Sequence, residues 1–549
     1  MSLIRIQRSL RFNLLPKSRC FSTPVIKEEE EYTATPQYPP ILDLSYEKTV
    51  ERRNEALFEQ IRNVKTVEEK QIKLNMPRYY GFKIYTLREE LIPYDDLTFA
   101  QHVTRTHLIE DKELPKFYQN IPVKEDTLGS ILKAVEELVL MEIEGIKKFY
   151  DLKSTKLSNV ERENLLASSI VKGLNRVLTT TLTHEVPHIK NTEVDIDARL
   201  ESTWAVGGMN PPQNVKKSKE GHEFFKKFAN DPVDRIFCYI GSPILTLRSD
   251  LPLPYVISPS EAENQDFNVP FFHYDPTIIG EKYEYRRITN IPGFWPADSH
   301  TFGLISYLKT GHMIERNNYY TDLEDIKNAT HRQAVLSSFA WLHGQANYLG
   351  FTTYNDITYP LIAQTVLTNG KEFQFYVYQM NTILVHGKNC KENPKRNVCW
   401  ASNKIKLYEE VNNGKIVGLN EEVLINLIKM YKIEPKERLG VNLRPYLNQE
   451  EKVVADYQDD DKRKWLEDQY KFLTSNRPRH IEMDEYYSWE KIYKIDHNTR
   501  QMDKKMRFFE FFEKPWNRKL NDMLPVYIPR ALRPNLPRHK GRRAKTYWP

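Results

Sequence analysis

A chain of 549 residues with 40% hydrophobic side chains exceeds one ordinary core and allows roughly two to four units, while a mean hydropathy of −0.63 puts much of it on surfaces or in extended segments. No apolar run reaches the roughly eighteen residues that a membrane helix needs, so no span is expected. Glycine is scarce, 20 in 549, and the nearest string to a phosphate loop, Asn369-Gly370-Lys371-Glu372, lacks the first glycine and the Mg-binding hydroxyl.

From Met1 to Lys27 there are six basic residues (Arg5, Arg8, Arg11, Lys17, Arg19, Lys27) and no acid before Glu28, with Leu and Ile interleaved. An Arg-rich, acid-free amphipathic start of this kind is a mitochondrial import signal, and Arg19-Cys20-Phe21-Ser22 offers a processing site near Phe21. The basic residues interrupt the apolar core that a secretory signal needs. Residues 1–21 are therefore expected to be a presequence and the working protein to reside in the mitochondrial matrix. An extended arm follows over 22–44, because Tyr38-Pro39-Pro40 holds the chain out of the helical region.

Residues 45–175 read as mainly helical. A charged helix is expected over 45–75, a stronger one over 126–150 with Asp126 as its cap, and another over 152–172. An α+β core is expected over 176–430. Its first part, 175–300, reads as short strands and long loops, with Leu178–Thr183 as a strand and Pro211-Pro212 opening a lysine-bearing loop. Helical spacing returns over 330–348, where Val335, Leu336, Phe339, Leu342, Ala346 and Leu349 point inward and Gly350 ends the run. Leu361–Leu367 and Phe373–Leu384 flank Asn369-Gly370, a hairpin turn that calls for positive φ at both positions. A last helix is expected over 421–432, then a charged helical extension over 431–513. The fold class is thus α+β, with helices packed on a mixed or antiparallel sheet and extended arms at both ends.

The segment 514–549 carries ten Lys/Arg against Asp522 alone, and six prolines keep it extended. With the chain at +6, removing +6 at the first 27 residues and +9 here leaves about −9 for residues 28–513. Basic charge is segregated at the ends, as in an arm that holds a polyanion. In the matrix that polyanion is RNA, with Arg530, Arg533, Arg538, Lys540, Arg542, Arg543 and Lys545 as the phosphate contacts and Tyr527, His539, Tyr547 and Trp548 for stacking. A solubilising tail is the bland alternative. In the body, Lys395 and Arg396 beside Asn393-Pro394 form a basic turn able to touch phosphate or simply to be solvated.

No catalytic constellation stands out. His184-Glu185-Val186-Pro187-His188 matches H-E-x-x-H, the zinc metalloprotease pattern, but Pro187 breaks the helical turn that would bring both histidines to one ion. His386, Cys390 and Cys399 lie within reach of a shared metal, yet their spacing is unusual and no fourth ligand is evident. Cys20 leaves with the presequence and Cys238 reads as strand packing, so no disulfide framework is expected. His273, Asp275, Asp298 and His300 fall in an aromatic-rich stretch (Phe271, Phe272, Tyr274, Trp295) that could line a pocket; they read as loop hydrogen-bonding residues. No cofactor and no metal are expected, and a matrix RNA-processing enzyme or a zinc protease remain the alternatives.

The runs SSFAWLHGQANYLGF (337–351), DITYPLIAQTVLTNGKEFQFYVYQMNT (356–382), NPKRNVCW (393–400), LYE (407–409) and VGLNEEVL (417–424) closely resemble the animal mitochondrial ribosomal protein once numbered thirty of the small subunit, also called programmed cell death protein nine and now placed in the large subunit. YPPI (38–41) and the charged stretch to about residue 80 match more weakly. Thr203-Trp204-Ala205-Val206-Gly207-Gly208 looks like the corresponding part of a paralogue, large-subunit protein thirty-seven. Residues beyond about 435 have no counterpart in the family's vertebrate members. The resemblance implies a non-catalytic constituent of the mitochondrial large subunit that contacts ribosomal RNA and other ribosomal proteins, the paralogue among them.

Overall fold

The strongest apolar signals in the sequence become two sheets and the helices that cover them. A computed structural model describes residues 82–445, apart from 90–96, 153–157 and shorter gaps, with scattered positions between 43 and 59. The import segment, most of the 45–75 helix, the extension beyond residue 445 and the seven tail cations lie outside the described residues.

In chain order, β1 (Phe82–Arg88), α1 (Leu97–Thr104), β2 (Thr106–Glu110) and the single turn α2 (Lys116–Gln119) lead into two long helices, α3 (Glu125–Leu152) and α4 (Asn159–Leu182). Strands β3 (Glu193–Ile196) and β4 (Leu200–Met209), the short helix α5 (Gln213–Glu220), and strands β5 (Val233–Gly241), β6 (Leu245–Ser249), β7 (Tyr283–Arg286) and β8 (Phe302–Lys309) follow. Next come α6 (Met313–Tyr319), the long α7 (Leu323–Tyr348) and the hairpin β9 (Leu361–Thr368) and β10 (Glu372–Met380). The turn α8 (Asn389–Glu392), β11 (Asn397–Ala401), β12 (Ile405–Lys406), the ribbon β13 (Glu410–Asn412) and β14 (Lys415–Val417), and α9 (Glu421–Lys432) complete the described chain.

A smaller sheet has the order β4-β5-β1-β7, and a larger one runs β2-β11-β10-β9-β8-β6-β3 with β12 beside β10. Both are mixed: β1/β5, β2/β11 and β8/β9 are parallel and the other pairs antiparallel. The expected α+β class is therefore what the chain adopts. Alternation along the larger sheet sends Leu361, Ala363, Leu367, Tyr376 and Tyr378 to a core shared with α7 and the smaller sheet, and Ile362, Val366, Phe375 and Val377 to a second core. Helices α3, α4 and α9 close that second core. Since both faces are covered, the central strands read as near-continuous apolar runs.

Several expectations change. Leu178–Thr183 is the end of α4, not a strand. A capping box between Ser158 and Glu161 starts this helix, and Ala167, Ile170, Val171, Leu174, Leu178 and Leu182 repeat at helical spacing into the core. At about 1.5–3 kcal/mol for each large side chain buried, that stripe outweighs the β preference of the threonines. Helix α5 occupies the expected lysine loop, with no buried residue. Strands β1 and β2 fall inside the stretch read as mainly helical, because each is short and its partners, β5 and β11, lie far along the chain. In the β9–β10 turn only Gly370 has positive φ, +90°. Asn369 instead accepts with its side chain from the Lys371 and Glu372 amides at 3.0 and 2.7 Å, and Thr368 pairs with Phe373 across four intervening residues. Residues 433–445, the described part of the expected helical extension, carry no helix, and Tyr359 donates to the Leu443 carbonyl at 2.6 Å.

Candidate nucleic-acid interface

The basic turn singled out in the sequence sits between α8 and β11 and is held from beneath by Arg105. That residue turns the chain between α1 and β2 at φ +51°, and its buried guanidinium donates to the Lys395 carbonyl at 2.9 Å, to the Cys390 carbonyl at 2.5 Å and to the Asn393 carbonyl. Burial, then the nearby Arg396, pushes the Arg105 pKa down to about 10. Three carbonyls on one side chain fix the turn's shape.

Lys395 and Arg396 are both half-buried and already engaged. Lys395 Nζ lies 3.6 Å from Asp356, and the Arg396 guanidinium donates to the Pro394 carbonyl at 2.5 Å and the Glu263 carbonyl at 3.3 Å. The exposed cations of this turn are Lys388 and Lys391, which the sequence reading did not single out. Lys391 Nζ lies over the Phe271 ring at 4.5 Å, a cation–π contact between elements 120 residues apart. The only local signals were the aromatic run at 271–274 and the lysines themselves.

Two glycines let these segments close on β4. A Cβ at Gly207 would lie 2.2 Å from the Gly387 carbonyl oxygen, and one at Gly208, where φ is +83°, would strike the Phe271 ring at 2.9 Å. The Gly207-Gly208 pair thus serves close backbone approach.

The catalytic and metal candidates separate into structural pairs. Glu185 accepts from Thr127 at 2.5 Å and from Lys432 at 3.1 Å, and the Thr127 bond, followed by Lys432, holds its carboxyl down at about 2. His188 is on the short helix that begins at Pro187, with Nε2 3.0 Å from the Tyr431 carbonyl, and burial lowers its pKa. Cys399 is fully buried on β11, whereas Cys390 Sγ donates to the Gly387 carbonyl at 3.1 Å, so the His386, Cys390 and Cys399 set does not form. Cys238 is buried on β5 as expected. Asp275 accepts from Tyr85 at 3.1 Å and Arg235 at 2.8 Å. Glu193, Asp298 and His300 do converge, but the cation among them is Arg248, paired with Asp195 at 2.5 Å and with Glu193 and Asp298 at 2.9 Å each. Burial opposes the Arg248 charge, and Asp195, then Asp298, more than offset it.

No helix among the described residues is long and apolar enough to cross a membrane. The α+β body thus resolves the candidate catalytic sets into internal pairs and carries lysines and aromatic rings on its surface loops. Residues 6–435 match the family described as Mitochondrial 28S ribosomal protein S30 (PDCD9), and the chain belongs to that family. Membership makes it a mitochondrial ribosomal protein with ribosomal components as partners, and it suggests a non-enzymatic role.

Proposed function

We propose that this chain is a structural constituent of the large subunit of the mitochondrial ribosome, in the matrix, where it binds ribosomal RNA and neighbouring ribosomal proteins, notably the paralogue numbered thirty-seven. The observation that carries the reading is the family match over residues 6–435, joined to a C-terminal segment that nets +9 in 36 residues. The family's description carries a small-subunit label; the large-subunit placement rests on the resemblance of 337–424, and the paralogue on that of 203–208. The work is mechanical: the body folds and docks, while Arg530, Arg533, Arg538, Lys540, Arg542, Arg543 and Lys545 hold phosphate, with Lys395 and Arg396 as secondary contacts. The import signal over 1–21 delivers the protein to the matrix.

Replacing the seven tail cations by Gln in the full chain is expected to weaken its co-sedimentation with large-subunit particles. The logarithmic salt slope of RNA binding should fall by up to roughly five, since each phosphate contact on a single strand contributes about 0.7. An unchanged slope with unchanged sedimentation refutes the tail as the RNA arm. Sedimentation of the unmodified chain with small-subunit particles alone refutes the large-subunit placement.

A further inference from the structure

Three loops meet at one end of the smaller sheet. Strand β4 leaves it at Met209, opposite Val233 of β5, and the chain between them carries Lys216, Lys217, Lys219, Lys226 and Lys227. The segment 268–275 is tied to the same end by the Asn210 amide, which donates to the His273 carbonyl at 2.9 Å. The segment 385–396 is tied there by the Gly207 amide to the Val385 carbonyl at 3.0 Å and the Gly387 amide to Asp234 at 2.9 Å.

Exposed rings stand where these loops meet. Phe271 and His273 lie parallel, 6.2 Å between centroids and 9° between planes, and Tyr274 lies 4.0 Å from His273 at 35°. All three are exposed, Tyr274 by half of its surface. Their positions are built rather than incidental. Gly208 lies beneath Phe271, the His102 ring meets its face edge-on at 4.7 Å, and Arg105 clamps the turn that brings Lys391 over it. Across residues 210–232, 268–275 and 385–396 there are nine Lys/Arg and five Asp/Glu, a surplus of four in a body that is otherwise acidic.

We propose that this end of the smaller sheet takes unpaired RNA nucleotides, with bases stacking on the Phe271–His273–Tyr274 row and phosphates on Lys388 and Lys391. Every base has a π face, so exposed rings bordered by cations bind single strands with little dependence on sequence, and a preformed row lowers the ordering cost. A duplex, whose bases are already stacked, gains nothing from the rings. The proposal rests on the RNA-contact reading above and gives the body of the protein its own share of it.

The test uses the full chain with a short single-stranded oligoribonucleotide carrying a fluorescent base analogue, beside a duplex of equal length. Phe271→Leu with Tyr274→Leu is expected to weaken the single strand about tenfold and to abolish quenching of the analogue, with duplex affinity held within about twofold. Tyr274→Leu alone, at a half-exposed ring, answers the same question if the pair impairs folding. Lys388→Glu with Lys391→Glu should lower the single-strand salt slope by about 1.4. Unchanged affinity and quenching in these variants overturn the proposal while tail-dependent binding still stands. Absence of all RNA binding by the unmodified chain overturns both. If RNA binding is unchanged but the variants leave ribosomal particles, the surface belongs to a protein neighbour and the proposal is wrong.

Discussion

The two faces of the larger sheet are covered by helices made on opposite rules. On one face α3, α4 and α9 present a single apolar side each; Val423, Leu424, Leu427 and Ile428 of α9 are buried, while its acidic first turn faces solvent. On the other face α7 is buried on every side from Ala329 to Tyr348, and its interior positions include His331, Arg332, Gln333, Ser338, His343, Gln345 and Asn347. These polar groups reach both sheets. Ser338 meets Thr365 of β9 at 2.7 Å, His331 meets Tyr376 of β10 at 3.0 Å, Gln345 accepts from Gly303 of β8 at 2.9 Å, and His343 meets Ser202 of β4 at 2.8 Å. The outer helices rest mainly on apolar area, with a few buried bonds such as Tyr431 to Asn175 at 2.8 Å and to Tyr307 at 3.1 Å, whereas the many directional bonds of the central helix fix its register. That register sets how β4 lies, and the basic loops hang from the end of β4.

Removing one charge from each layer should separate the two most widely. Arg332 donates to Glu281 at 2.6 Å with both side chains buried, so Arg332→Met takes the close cation from a buried carboxylate and should cost about 3–5 kcal/mol. In the outer layer Lys432→Met leaves Glu185 its bonds to Thr127 and Lys124 at a wetter site, and about 1 kcal/mol is expected. Chemical denaturation of the two variants measures both, and equal losses would erase the distinction. The next contrast is steric. A Cβ at Gly303 would lie 2.5 Å from the Trp341 ring of α7, and Gly303→Ala should destabilise by about 1–3 kcal/mol. At Gly173 of α4 the clash is with the ends of Leu138, which can rotate away, and the better helix propensity of Ala offsets much of the cost. Gly173→Ala is therefore expected within about 1 kcal/mol of the parent, and thermal melts should rank the pair accordingly.

The same contrast explains what could be read from the sequence. Helix α9 runs over the expected 421–432 because Asn420 caps it and its apolar stripe is local. The apolar residues of α7 were visible, but its start at Leu323 was not, since Glu324, Asp325, Lys327 and Asn328 offer only Ile326 among them as an apolar position to mark the period. Strands β1 and β2 were missed because their identity lies in remote partners. The interface divides likewise. Lys395 and Arg396 were visible as a basic turn, whereas Asp356 and the Glu263 carbonyl that engage them are distant in sequence. The 271–274 aromatics form a visible cluster; the contact of Phe271 with Lys391 depends on Gly207 meeting Gly387 across the fold.

The last expected effect concerns pH and centres on the buried histidines. Burial pushes His343 of α7 down to about 3 and His102 of α1 down to about 4, from an ordinary value of 6.5. Neutral imidazole is the form that the fold favours, while the unfolded chain takes up protons below 6.5. The stability these groups contribute is therefore fully present above pH 6.5 and declines as pH falls toward 4. Glu185 acts in the same sense only below its ordinary 4.5, so the window from pH 6.5 to 5 belongs to the histidines. Each contributes a slope of at most about 1.4 kcal/mol per pH unit there. His343→Asn should flatten the dependence of the denaturation midpoint across that window while lowering the midpoint at pH 7.5, where the lost contacts with Ser202 and Trp204 dominate. A variant with the parent's pH slope would mean that His343 is protonated in the folded protein, and the central helix would then tolerate charge as the outer layer does.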